Sequence, residues 1–130
     1  MSKPSWESSL HQKLAQRCRA ARPGRRCDPP RIAIVGIGHQ LRGDDAAGVM
    51  AARALKQLYG QVPDRRLLVV DAGPAPENCT GPLRRFDPDL VILIDAAEMN
   101  EAPGTIRWLA WQETSGLSAS THTLPPYVLA

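Results

Sequence analysis

Three short, unbroken apolar runs organise the chain: Ile32-Ala33-Ile34-Val35, Leu67-Leu68-Val69-Val70 and Leu90-Val91-Ile92-Leu93-Ile94. Uninterrupted runs of this length predict strands buried on both faces, as in a parallel sheet covered by helices. Between the first two, a loop from Gly36 to Gly43 leads to Asp44, placed to cap a helix. Ala47, Met50, Ala51, Ala54 and Leu58 then recur at helical spacing until Gly60 stops the helix. Pro74 and Pro76 mark a loop, and a short helical stretch is expected from about Asn78 to Phe86. Beyond the third run, Pro103-Gly104 predicts a turn, and Thr105 to Trp111 alternates as a half-buried strand would. Gly116 to Thr121 reads as a small polar loop, and a new helix is expected from Pro125.

Strand, helix, strand, helix, strand predicts an α/β fold: a doubly wound, mostly parallel twisted sheet in a three-layer αβα arrangement, with right-handed crossovers. With the last helix starting about five residues before Ala130, the sequence is expected to be truncated at its C-terminal end. Upstream of the sheet, Ser5 or Ser8 can cap a helix reaching about Cys18, with Leu10 and Leu14 on one face. Arg22 to Pro30 carries linker chemistry. The expected division is therefore a basic N-terminal arm and Pro-rich linker at 1–30, and one α/β domain at 31–130.

Composition narrows the function classes. A length of 130 residues is that of one domain, and 43% hydrophobic with 22% charged residues is ordinary globular composition. The net charge of +3 is concentrated in the arm, where Lys3, Lys13, Arg17, Arg19, Arg22, Arg25 and Arg26 outnumber Glu7 and Asp28. Without aromatic interleaving or a recognisable nucleic-acid motif, that arm does not predict nucleic-acid binding. Cys18, Cys27 and Cys79 are odd in number and lack C-x-x-C spacing, against both a disulfide framework and a closed zinc site. Asn78-Cys79-Thr80 matches a glycosylation sequon with no secretory signal before it, so it reads as chance. No apolar run is long enough to cross a membrane. A cytoplasmic protein is expected.

Acids recur at the carboxyl ends of the predicted strands: Asp44-Asp45 after the first, Asp71 after the second, Asp95 after the third. Open parallel sheets bind ligands at that edge. Gly36 and Gly38 start a dinucleotide fingerprint, but its third glycine would fall at Leu41, and no phosphate-loop lysine follows. These glycines instead let the backbone turn beside an open groove. Asp44 reads as a helix cap, Asp45 as an acid at a helix N-terminus, and Asp71 as an acid among small neighbours. His122, in Ser120-Thr121-His122-Thr123, is a third candidate. Two carboxylates and one imidazole from separate segments suit a divalent transition metal with positions left open for an external ligand.

The run Gly36-Ile37-Gly38-His39-Gln40-Leu41-Arg42-Gly43-Asp44-Asp45-Ala46-Ala47-Gly48-Val49 resembles the glycine-rich first motif of the nickel–iron hydrogenase maturation endopeptidases. Asp71-Ala72-Gly73-Pro74-Ala75-Pro76-Glu77-Asn78 resembles their second. Asp95-Ala96-Ala97-Glu98-Met99, Pro103-Gly104-Thr105-Ile106-Arg107 and Ser120-Thr121-His122-Thr123-Leu124-Pro125 continue the series in order. The likeness covers about Arg31 to Ala130 and is greatest to the branch serving the hydrogenase 3 type of large subunit.

The resemblance implies a phosphorylase/hydrolase-like α/β fold. It also implies a peptidase, expected as a monomer, that removes a C-terminal extension from the hydrogenase large-subunit precursor once nickel is inserted. The nickel, carried by the substrate precursor, is the recognition element, and its contacts carry over to Asp45, Asp71 and His122. Asp95 has no such assignment. The family usually has asparagine where this chain has His39, which either adds a ligand nitrogen near the site or replaces a loop-shaping amide. It also continues past position 130 with a further strand and a closing helix. Asp45 or Asp71 as general base, or metal polarisation of the water or carbonyl, both remain open as mechanisms. No serine, cysteine or lysine stands in a clear nucleophile arrangement. Two alternatives stand beside this reading: a metal-dependent hydrolase of small peptides with its own metal, and a non-catalytic nickel-binding module.

Overall fold

The computed structural model of the protein describes residues 5–19, 29–60 and 66–116. Helix α1 (Trp6–Arg19) begins at Ser5, whose Oγ accepts the Ser8 backbone N–H at 3.2 Å. That bond satisfies one of the amide groups left free at a helix start. The basic linker residues at 20–28 lie outside the described residues. No helix among the described residues is long and apolar enough to cross a membrane.

Strands β1 (Ile32–Ile37), β2 (Leu67–Gly73) and β3 (Leu90–Ile94) form a parallel sheet in the order β2-β1-β3. All three predicted strands are present. Two of them run further towards the carboxyl edge than their apolar runs do, because β1 and β2 stay paired through Gly36 opposite Asp71. Helix α2 (Ala47–Tyr59) joins β1 to β2, and α3 (Thr80–Phe86) joins β2 back across β1 to β3. The chain moves outward from β1 to β2, then reverses and passes back over β1 to β3. Right-handed crossovers running in opposite directions place their helices on opposite faces.

The packing agrees. Val35 and Ile37, pointing to one face, form a core with Ala72 and Cys79, flanked by Val70, Leu83 and Leu93. Gly36, on the other face by strand alternation, lies against α2: a Cβ there would fall 2.2 Å from the Gly48 carbonyl oxygen and 2.6 Å from Ala52 Cβ. Fully buried Val35, Ile37, Val49 and Cys79 are the largest side chains at the centre.

Three expectations are corrected by this arrangement. First, Asp44 does not cap α2. A 3₁₀ turn (Gly43–Ala46) precedes the helix, no side chain caps either segment, and Asp44 is exposed. Second, the sheet-facing stripe of α2 is Gly48, Val49 and Ala52, whereas Met50 and Leu58 point to solvent. Small residues let the helix backbone approach the sheet closely, so the larger apolar side chains of the periodic set are turned outward. Third, Thr105 to Trp111 forms no strand. Its polar groups bond locally: Thr105 N–H and Oγ1 both donate to the Ala102 carbonyl, and the Ala110 N–H donates to Glu113 Oε2 at 2.8 Å before a 3₁₀ turn (Trp111–Gly116). Alternation marks half-burial, but a strand also needs a ladder partner. Among the described residues none pairs with this segment. The loop from 117 and the helix predicted from Pro125 lie outside the described residues.

Candidate functional site

The carboxyl edge of the sheet gathers the loops that follow β1 and β3 and the end of β2. In open parallel sheets this edge is where ligands bind, and here the ends of β1 and β2 are tied together on it. Around it the backbone is closely fitted. Gly38 N–H donates to the Gly73 carbonyl at 2.9 Å, tying the loop after β1 to the end of β2. His39 N–H donates to the Asp45 carbonyl at 3.1 Å, folding that loop back onto the 3₁₀ turn. Gly38 has φ +152°, and a Cβ there would lie 2.0 Å from the Asp45 carbonyl oxygen, so no side chain fits between them.

Asp45 is thereby fixed at the rim. It is the one charged side chain buried among the described residues, 8% exposed, and its Oδ1 is sealed from solvent. Its burial fixes its position at the rim, whereas Asp44 beside it is exposed.

Asp71 lies two residues before the end of β2, paired in register with Gly36. Its carboxylate is held at both oxygens. Oδ1 accepts the Gly73 N–H at 3.0 Å, and Oδ2 accepts Arg53 Nε at 2.9 Å. The ion pair is partly wet, with side chains 48% and 20% exposed for Arg53 and Asp71. Its contribution to stability is therefore about 0–1 kcal/mol. Its structural effect is orientation.

Asp45 and Asp71 thus both lie at the carboxyl edge, linked through the backbone around Gly38. His122 lies outside the described residues. Among the described residues no three His, Cys, Asp or Glu side chains form a metal-holding group. Two carboxylates from separate segments are hard oxygen donors of the kind divalent cations accept. Asp95 follows β3 directly, with its Oδ1 also sealed from solvent. His39 is half-buried, and its Nδ1 accepts the Leu41 N–H at 3.3 Å. That contact shapes the loop and engages one of its two ring nitrogens.

Arg53 is the residue that the periodicity reading misses. Its signal was present: it follows Val49 by four positions on α2, at the margin of the sheet-facing stripe, opposite a strand carrying an acid. Cys79 is buried in the core, and burial, aided by nearby Glu77, pushes its thiol above the ordinary value of 9.0 despite a backbone hydrogen bond that opposes the shift. A neutral thiol packed against Val35 and Ile37 is a core residue and no nucleophile.

Comparison with known proteins adds the family. The family model described as HycI, hydrogenase maturation protease, matches residues 49–128, a span that includes Asp71 and His122 and begins after Asp45. A putative hydrogenase maturation protease of Methanocaldococcus jannaschii is 32% identical over 99 residues, covering 73% of this chain and 59% of the relative. The hydrogenase 3 maturation protease of Escherichia coli K12 is 30% identical over 93 residues, covering 71% of this chain and 57% of the relative. The crystal structure of a [NiFe] hydrogenase maturation protease HycI from Thermococcus kodakarensis superposes with a TM-score of 0.67 at 38% identity, covering 77% of this chain and 62% of that one. This chain therefore spans rather less than two thirds of the length of these relatives. With the parallel sheet, the acid-lined rim and these matches in agreement, the chain belongs to the hydrogenase maturation protease family.

Proposed function

We propose that the protein is an endopeptidase that removes the C-terminal extension of a nickel–iron hydrogenase large-subunit precursor after nickel insertion. It acts in the cytoplasm as a monomer and reads the nickel in the substrate through Asp45, Asp71 and His122. The observation that carries this reading is the rim on which buried Asp45 and oriented Asp71 are held together through Gly38, in a chain of this family.

Chemically, hydrolysis needs a water made nucleophilic beside a polarised carbonyl. One of the two carboxylates accepts the proton as water attacks, then returns it to the leaving amine. The substrate's nickel supplies Lewis acidity and holds the scissile segment in place. The rigid backbone around Gly38 keeps the carboxylates aligned without a reorganisation cost at each turnover.

The test is processing of nickel-loaded precursor by Asp45→Asn, Asp71→Asn and His122→Ala variants, with circular dichroism to check the fold. Each variant is expected to lose at least a hundredfold in rate, the order contributed by a positioned acid or base, while the spectrum is retained. Wild-type rates in all three would refute the assignment.

A further inference from the structure

Arg53 has a use beyond holding α2 to the sheet. Its Nε donates to Asp71 Oδ2 at 2.9 Å, while the other carboxylate oxygen is taken by the Gly73 N–H at 3.0 Å. A first-row divalent ion on a carboxylate sits about 2.0–2.2 Å from the oxygen, as zinc does. Placed on Asp71 Oδ2, such an ion would lie a few ångströms from a guanidinium that never loses its charge. Ion and guanidinium then compete for the same oxygen and repel each other at close range.

We infer that Arg53 guards Asp71 against free divalent metal, so that the rim takes up an ion only when a substrate brings it already bound. This rests on the reading of Asp71 as a metal-facing residue. Binding of the precursor supplies the contact energy that displaces the guanidinium or makes it share the oxygen; a hydrated ion in solution supplies none. The Arg53 side chain is 48% exposed, so its charge can move into solvent without first being dug out of the core. Arg53 is in this sense a positioning residue for Asp71 that also sets metal selectivity.

The experiment is calorimetric titration of the protein with Ni²⁺ alone, comparing wild type with Arg53→Gln, Arg53→Met, Arg53→Lys and the double variant Arg53→Gln/Asp71→Asn. Removing the charge is expected to tighten Ni²⁺ binding on the order of tenfold, the scale on which groups beside metal ligands act. Arg53→Lys, which keeps the charge, stays near wild type, and the double variant loses the gain. In processing assays, free Ni²⁺ at a level harmless to wild type should inhibit Arg53→Gln. If both uncharged variants bind Ni²⁺ no more tightly than wild type while the double variant binds it more weakly than Arg53→Gln, the guarding role is wrong and the site assignment stands. If Asp71→Asn leaves the binding of Arg53→Gln untouched, both fall together.

Discussion

Gly48→Ala tests the structural basis of the site, because α2 continues directly from the 3₁₀ turn that carries Asp45. The added Cβ would lie 2.1 Å from the Ile94 carbonyl oxygen and 2.4 Å from that of Ile37, so it meets backbone on two neighbouring strands. Both are backbone atoms at strand ends, which cannot yield as a flexible side chain would. Restoring an ordinary carbon–oxygen separation requires the helix to lift by about 1 Å or more. Forced repacking of this kind costs ~3 kcal/mol at the upper end of the usual range. Against that, alanine is favoured over glycine inside a helix by ~1 kcal/mol. The net expectation is a destabilisation of about 2 kcal/mol, or a fall in Tm of roughly 8 °C for a domain of this size. Gly81→Ala in α3 is the control, since its Cβ meets only the flexible end of Arg85 at 3.5 Å. That variant should hold or raise Tm by the propensity gain. Thermal unfolding followed by far-ultraviolet circular dichroism measures both. A Gly48→Ala protein as stable as wild type would show that α2 does not approach the sheet as described.

Gly38→Ala strikes the rim more than the core: it places a Cβ 2.0 Å from the Asp45 carbonyl oxygen at φ +152°. Processing of nickel-loaded precursor should fall at least tenfold, as expected when catalytic groups are misplaced by about 1 Å, and wild-type turnover would contradict the placement of Asp45. Cys79 makes a prediction in pH. Its folded thiol is raised above 9.0, so the folded state holds this proton more tightly than the unfolded chain does. Its contribution to stability is fully present below pH 9.0 and is lost as pH rises through the folded value. Tm should therefore decline above pH 9.0 more steeply in wild type than in Cys79→Ala, and parallel declines would refute the assignment.

Much of the fold is legible in the apolar runs, which mark the positions of all three parallel strands. Burial on both faces, which those runs predict, holds only for central β1: β2 and β3, on its two sides, are half-buried and Val91 is 40% exposed. What periodicity could not show is how close a helix comes. The set Ala47, Met50, Ala51, Ala54 and Leu58 satisfies helical spacing, yet Gly48 and Ala52 face the sheet, because contact at backbone distance selects for the absence of side chains. Strand pairing was similarly hidden at Thr105 to Trp111, where alternation is present without a neighbour among the described residues. At the site, Asp45 and Asp71 were recognisable as acids after buried strands. Arg53 was not, since an arginine on a helix reads as solvated until the register places Asp71 opposite it.

The central claim is that substrate nickel is what the rim reads, and it is tested most directly by presenting the protein with hydrogenase large-subunit precursor in nickel-loaded and nickel-free forms and measuring release of the C-terminal extension. Cleavage of the loaded form alone is the predicted result; equal cleavage of both would contradict it.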